Sequence, residues 1–120
     1  MMAESHNTGG QGEAIAAAYL ASEGWEILET NWHSNHHEAD IIARKDDLLV
    51  IVEVKTRTTD YFGSPESFVS RVKQRRLVKT ANHFISMNGL DLEVRFDIIS
   101  IVMQSPRPRL KHIEDAFYPH

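Results

Sequence analysis

The sequence predicts an α/β domain: a mixed sheet of about five strands flanked by helices, in the order α-β-β-β-α-β-β. Three features carry that prediction. Residues 48–55, Leu-Leu-Val-Ile-Val-Glu-Val-Lys, are apolar on both faces for most of their length, as in a central strand covered on both sides. A helical pattern then runs from about residue 66 or 70 to 87, long enough to cross back over a sheet. Residues 94–103 follow as a second strongly β-forming run, available as a parallel partner for the first.

The remaining elements fill in around these. Residues 1–8 are polar and read as a flexible N-terminal tail, leaving 9–120 as one domain. Residues 12–24 form an alanine-rich helix with Ile15, Ala18 and Tyr19 on one face and Gly24 as its stop. A strand at 25–32, a polar loop at His33-Ser34-Asn35 and a strand at 37–44 come next, with Lys45-Asp46-Asp47 turning the chain into the central strand. After a loop containing Phe62-Gly63-Ser64-Pro65, the long helix offers Val69, Val72, Leu77, Ala81, Phe84 and Ile85 as a buried stripe and ends at Asn88-Gly89. A short strand at 110–113 closes the order. Trp25, Trp32, Phe62 and Phe68 read as core or rim packing.

A chain of 120 residues with 42% hydrophobic content supports one core of its own. No stretch approaches the ~18 consecutive apolar residues of a membrane span, and the first residues lack the apolar run of a secretory signal. Cysteine is absent, which removes disulfides and thiolate metal sites and fits a cytoplasmic location. The net charge of −4 is unevenly spread. Residues 1–54 carry ten acids against two bases, whereas residues 55–79 carry seven bases (Lys55, Arg57, Arg71, Lys73, Arg75, Arg76, Lys79) against two acids. A polyanion responds to that local field rather than to the total. A solvated basic helix face would give the same pattern.

The chemistry is suggested by polar interruptions in apolar strands. Asp40 precedes Ile41-Ile42, and Glu53 and Lys55 end the central run. Buried charges of this kind are expensive unless compensated, and a divalent cation would compensate them. If Asp46-Asp47 is a two-residue hairpin loop, opposed residues have numbers summing to 93, so Asp40 lies opposite Glu53 and Glu38 opposite Lys55, all on one face. Opposed Cβ atoms about 4.5–5.5 Å apart let two carboxylates grip one ion. A one-residue slip would separate them. Oxygen ligands without cysteine point to Mg²⁺ or Mn²⁺. A cross-strand salt-bridge cluster is the competing structural reading of the same residues.

The spacing Asp-X12-Glu-Val-Lys resembles the PD-(D/E)XK nuclease signature. Four segments resemble the YraN-like family of bacterial proteins more closely: Gly9-Gly10-Gln11-Gly12-Glu13, His37-Glu38-Ala39-Asp40-Ile41-Ile42-Ala43, Val52-Glu53-Val54-Lys55-Thr56-Arg57 and Lys73-Gln74-Arg75-Arg76. Arg95-Phe96-Asp97 and His112-Ile113-Glu114-Asp115-Ala116-Phe117 extend the likeness. The family usually has Gly-Glu-aliphatic-Asp where this chain has His37-Glu38-Ala39-Asp40. The resemblance implies a restriction-endonuclease-like fold of the Holliday-junction-resolvase branch and a metal-dependent phosphodiesterase acting on nucleic acid, most readily DNA. It implies Asp40 and Glu53 as metal ligands, Lys55 as the catalytic lysine, Glu13 as a further acid in the site, and Gln74 near the metal water. It also makes a homodimer plausible.

Arg57, Arg71, Lys73, Arg75, Arg76 and Lys79 are the candidate phosphate contacts, and with no base-reading element in view they favour structure-selective or non-specific binding. His33, His36 and His37 read as exposed loop residues that could touch substrate, with a zinc site the weaker alternative. Asp97 reads as a structural hydrogen-bond acceptor. Two rival functions remain: a nucleic-acid-binding module that keeps the fold without turnover, and a protein-interaction scaffold.

Overall fold

The computed structural model describes residues 3–58, 69–104 and 106–117, with side chains from Gly10 onward. Its elements run α1(Ala3–Ser22), β1(Glu26–Ser34), β2(His37–Lys45), β3(Leu48–Arg57), α2(Arg71–Asn88), β4(Glu93–Val102) and β5(Arg109–Ile113). The α/β architecture and the element order are those expected. The five strands form one sheet in the order β1-β2-β3-β4-β5, so β3 is central, as its apolar run requires. β3 and β4 pair in parallel through the α2 crossover, while every other neighbouring pair is antiparallel. The expected loop at Phe62-Gly63-Ser64-Pro65, and Phe68, lie outside the described residues.

Alternation along the central strands sends two cores to opposite faces. Leu49 and Ile51 of β3 pack with Leu77, Ala81 and Phe84 of α2, together with Ile42, Phe96 and Ile98. Val50 and Val52 pack with Ala16 and Leu20 of α1, together with Ile41, Ala43, Ile99 and Ile101. Helices on both faces thus explain why β3 shows no polar side.

Several boundaries differ from the sequence expectation, each for a local reason. Helix α1 starts at Ala3 rather than at Gly12, so helix takes up most of the stretch expected to be a tail. Its buried positions are Ala16 and Leu20, whereas Ala18 is exposed. Close packing explains Gly12, where a Cβ would overlap the side chain of Thr56 on β3. Gly12→Ala is therefore expected to cost about 1–3 kcal/mol through overpacking. Urea denaturation of the two proteins measures it, and an unchanged midpoint would show that Thr56 can simply turn away. Strand β1 continues to Ser34, which pairs with His37, so Asn35-His36 forms the turn, with Asn35 at φ 56. Asparagine tolerates that left-handed conformation better than most residues.

Ser70 caps α2, its hydroxyl accepting the Lys73 N–H at 3.1 Å, and Gly89 ends the helix at φ 62 with its N–H on the Ile85 carbonyl. Val72 was expected in the buried stripe, but it is 49% exposed. A residue five positions before Leu77 lies more than a quarter turn off the buried line through Leu77, Ala81 and Phe84. Thr80, buried, takes a place in the stripe that hydrophobicity alone did not mark. No described helix is long and apolar enough to cross a membrane.

Candidate active site

The β2–β3 hairpin has the predicted register as far as Ile41 opposite Val52, while the expected pairs Asp40–Glu53 and Glu38–Lys55 lie beyond the paired ladder. Lys45 pairs with Leu48 across the Asp46-Asp47 loop, and the ladder runs to Ile41 opposite Val52, numbers that sum to 93. Asp40 and Glu53 are the next residues out, where the backbone ladder ends. Asp40 Oδ2 accepts the N–H of Val54 at 2.8 Å, so this carboxylate itself closes the end of the hairpin. Glu53 falls on the α2 face with Leu49 and Ile51, and Lys55 follows it on that face.

Glu53 is only 5% exposed, and cations hold it. Its Oε2 lies 2.6 Å from Lys73 Nζ and 3.3 Å from Lys55 Nζ. The two lysines come from different elements, one from α2 and one from the strand itself. Burial would lower the Lys73 pKa, but the bond to Glu53 and the fields of Asp40 and Glu38 more than offset it, and the ammonium is stabilised. Asp40 is the strained member. Burial, then the charge of Glu53, push its pKa up to about 7, against the opposing Val54 N–H bond; Glu13 adds to the rise. Glu13, half-buried on α1, is likewise raised by burial and by Glu53, with His33 pulling the other way. Three carboxylates thus share one electrostatic neighbourhood at one end of the sheet.

Among the described residues, no three His, Asp or Glu side chains are gathered closely enough to form a ready-made metal cage. A hard cation such as Mg²⁺ needs only one or two protein carboxylates with waters completing its shell. Burial is the main cause of the raised Asp40 pKa, and the Glu53 charge that adds to it is what a cation near both carboxylates would relieve, so the donor set fits such an ion. Gln74 does not join the site. Its Nε2 donates to the Val69 carbonyl at 3.1 Å, back to the chain just before its own helix. Neighbouring helix residues point about 100° apart, so only one of Lys73 and Gln74 can face Glu53. Lys73 does, and it was expected only as a phosphate contact.

The other basic residues frame this centre. Arg71, Arg75, Arg76 and Lys79 are exposed along α2, and Arg57 ends β3. His33 and His36 are exposed and His37 half-buried. His33 engages Glu38 at 3.5 Å and Asn31 at 3.2 Å, while His37 stacks on His83 of α2, centroids 4.5 Å apart. His83 also meets the Ser34 hydroxyl at 3.0 Å. The His33 ring is engaged by Asn31 and Glu38 and the His37 ring by His83, and none of the histidines forms a metal-ligating group among the described residues. Asp97 lies on the α1 face with Ile99 and Ile101, away from Glu53, and is a hydrogen-bond acceptor as expected.

The sequence matches the profile described as "Uncharacterised protein family UPF0102" over residues 12–101, three-quarters of the chain. The chain belongs to UPF0102. A UPF0102 protein of Flavobacterium psychrophilum is 48% identical over 117 residues, covering 98% of both chains. Others, from Parabacteroides distasonis and Christiangramia forsetii, are 46% and 44% identical over 117 residues, covering 98% of this chain and 97% and 98% of theirs. The YraN-like resemblance in the sequence is thereby borne out at the level of the family. The stretch matched to UPF0102 contains Glu13, Asp40, Glu53, Lys55 and Lys73 and stops short of His112.

Proposed function

We propose that this chain is a metal-dependent nuclease that hydrolyses nucleic-acid phosphodiester bonds, a structure-selective or non-specific DNA endonuclease of resolvase-like type. The observation that carries the reading is the convergence of Asp40, Glu53 and Lys55 on one sheet end, with a second lysine from α2 on the same carboxylate. That constellation, on a mixed sheet with this element order, resembles the PD-(D/E)XK arrangement. Asp40 and Glu53 would hold Mg²⁺ or Mn²⁺, with Glu13 placed to bind its waters. The ion supplies Lewis-acid polarisation of a phosphoryl oxygen.

The chain's own groups do the rest. Lys55 hydrogen-bonds the attacking water and orients it toward phosphorus. Lys73, which contacts Glu53 at 2.6 Å, would offset the charge that gathers on the phosphoryl oxygens. The water oxygen bonds to phosphorus as it gives up a proton to solvent, the P–O bond to the leaving sugar oxygen breaks, and that oxygen takes a proton from solvent. Arg57, Arg71, Arg75, Arg76 and Lys79 hold flanking phosphates without reading sequence. A homodimer would bring two such centres to two strands. The absence of cysteine agrees with a reducing cytoplasm.

The Lys73–Glu53 contact also favours a second reading, in which the lysines permanently neutralise the acids and the domain binds nucleic acid without turnover. Incubation with branched, flap and single-stranded DNA plus Mn²⁺ separates the two. The nuclease reading expects cleavage that EDTA abolishes and that Asp40→Ala lacks. Salt-sensitive binding with no cleavage of any substrate would leave only the binding module.

A further inference from the structure

Between the β1–β2 hairpin and α2 lies a cavity of about 410 Å³, lined by His36, Glu38, Lys73, Arg76, Leu77 and Thr80. It adjoins the acid centre through Lys73, whose ammonium touches Glu53. Its volume falls within the range of small-molecule sites and is far larger than a single phosphate requires. Its chemistry is mixed. Lys73 and Arg76 offer cationic donors at the mouth, whereas Leu77 and the Thr80 hydroxyl form a floor that is almost wholly buried. His36 contributes an exposed aromatic ring in the turn between β1 and β2. Glu38 would repel a phosphate placed deep in the cavity, but its contact with His33 leaves it able to accept hydrogen bonds from base N–H groups.

A phosphate at the cationic mouth with a flat, hydrogen-bonding ring behind it describes a nucleotide. We propose that this cavity receives one unpaired nucleotide flanking the phosphate that is cut, with its phosphate on Lys73 and Arg76 and its base against His36 and Leu77. Calling that neighbouring phosphate the cut one rests on the nuclease reading; the base pocket itself does not. A base within a duplex is stacked on both faces and cannot enter, so the site selects bulges, flaps, branch points or single strands over intact duplex. The adjoining stack of His37 on His83 stiffens the hairpin wall from which His36 projects.

Fluorescence anisotropy in EDTA tests the pocket without catalysis. The probes are one short DNA duplex, the same duplex with a single-nucleotide bulge, and the bulged duplex with an abasic site at the bulge. The base should strengthen binding about tenfold over the abasic bulge, in the range of stacking one base on a side chain. His36→Ala should erase that preference while leaving affinity for the abasic probe nearly unchanged. Arg76→Ala should weaken both bulged probes. Equal wild-type affinity for the base and abasic bulges overturns the proposal, as does a base preference that survives His36→Ala. The Mn²⁺ cleavage assay keeps the two readings apart. Cleavage without a base preference removes the pocket alone, and a base preference without cleavage of any substrate removes the nuclease and leaves the pocket.

Discussion

Asp40→Asn is expected to abolish Mn²⁺-dependent cleavage, by about 10³-fold or more, while making the metal-free protein more stable. On the proposed function, the first effect follows from removing one of the two carboxylates that would hold the metal. A metal's stabilisation of a phosphoryl transition state is worth several kcal/mol, and each ~1.4 kcal/mol is a tenfold rate. The second follows from the charge state. Burial and the Glu53 charge raise the folded Asp40 pKa to about 7, whereas the unfolded chain ionises at about 4. Between those values the unfolded state has lost its proton and the native state has not, so the native state becomes relatively less stable as pH rises. The penalty is complete above about pH 7 and vanishes near pH 4.

Asparagine keeps an oxygen for the Val54 N–H and carries no charge. Its advantage over wild type should be about 1–3 kcal/mol at pH 8 and shrink toward zero at acid pH, read from urea midpoints in EDTA. Added Mn²⁺ should raise the melting temperature of wild type but not of the variant. An asparagine variant that is inactive because it is less stable at every pH would show that Asp40 serves the fold instead.

Asp97→Ala is expected to act on the fold alone, at a cost of about 3–5 kcal/mol. Asp97 is 1% exposed, and each of its oxygens is used twice. Arg95 donates from Nε to Oδ1 at 2.9 Å and from Nη2 to Oδ2 at 2.8 Å. His112 Nε2 lies 2.7 Å from Oδ2, and the Asp115 N–H donates to Oδ1 at 3.0 Å. The Tyr19 hydroxyl meets the other ring nitrogen of His112 at 2.9 Å, so one carboxylate ties together β4, β5, the chain beyond β5 and α1. Removing it leaves the buried His112 ring without its carboxylate partner and leaves the partly exposed Arg95 guanidinium with only Glu114, at 3.6 Å, as an ion-pair partner among the described residues. Urea unfolding measures the loss, and a change below about 1 kcal/mol would refute the account. Cleavage per folded molecule should be preserved, because Asp97 lies on the opposite face from Glu53. A selective loss of cleavage with stability intact would instead make Asp97 part of the catalytic centre.

Much of this molecule was written locally. The apolar run of β3, the alternation that separates Glu53 from Val52, and the Asp46-Asp47 turn are short-range properties of the chain. They suffice to set the 93 register and to bring Asp40 near Glu53. The Ser70 and Gly89 caps are local in the same way, although only the second was expected. What the sequence could not give was which helix residue meets the acids. Lys73 and Gln74 are adjacent, both plausible, and separated only by the rotation of α2 against the sheet. Nothing local specifies that rotation.

By itself, then, the sequence determined the α/β order, the central strand, the hairpin register as far as Ile41 opposite Val52, and the placement of Asp40, Glu53 and Lys55 at one sheet end, because period-two alternation and turn chemistry act over a few residues. Packing of α2 alone decided that Lys73 closes on Glu53, that Gln74 turns back to the chain just before its helix, and that Thr80, Arg76 and His36 enclose a cavity. Packing of α1 and β5 decided that Asp97 becomes a junction. Those outcomes depend on side chains tens of residues apart arriving at one place, and only the sum of both buried faces fixes where the helices lie.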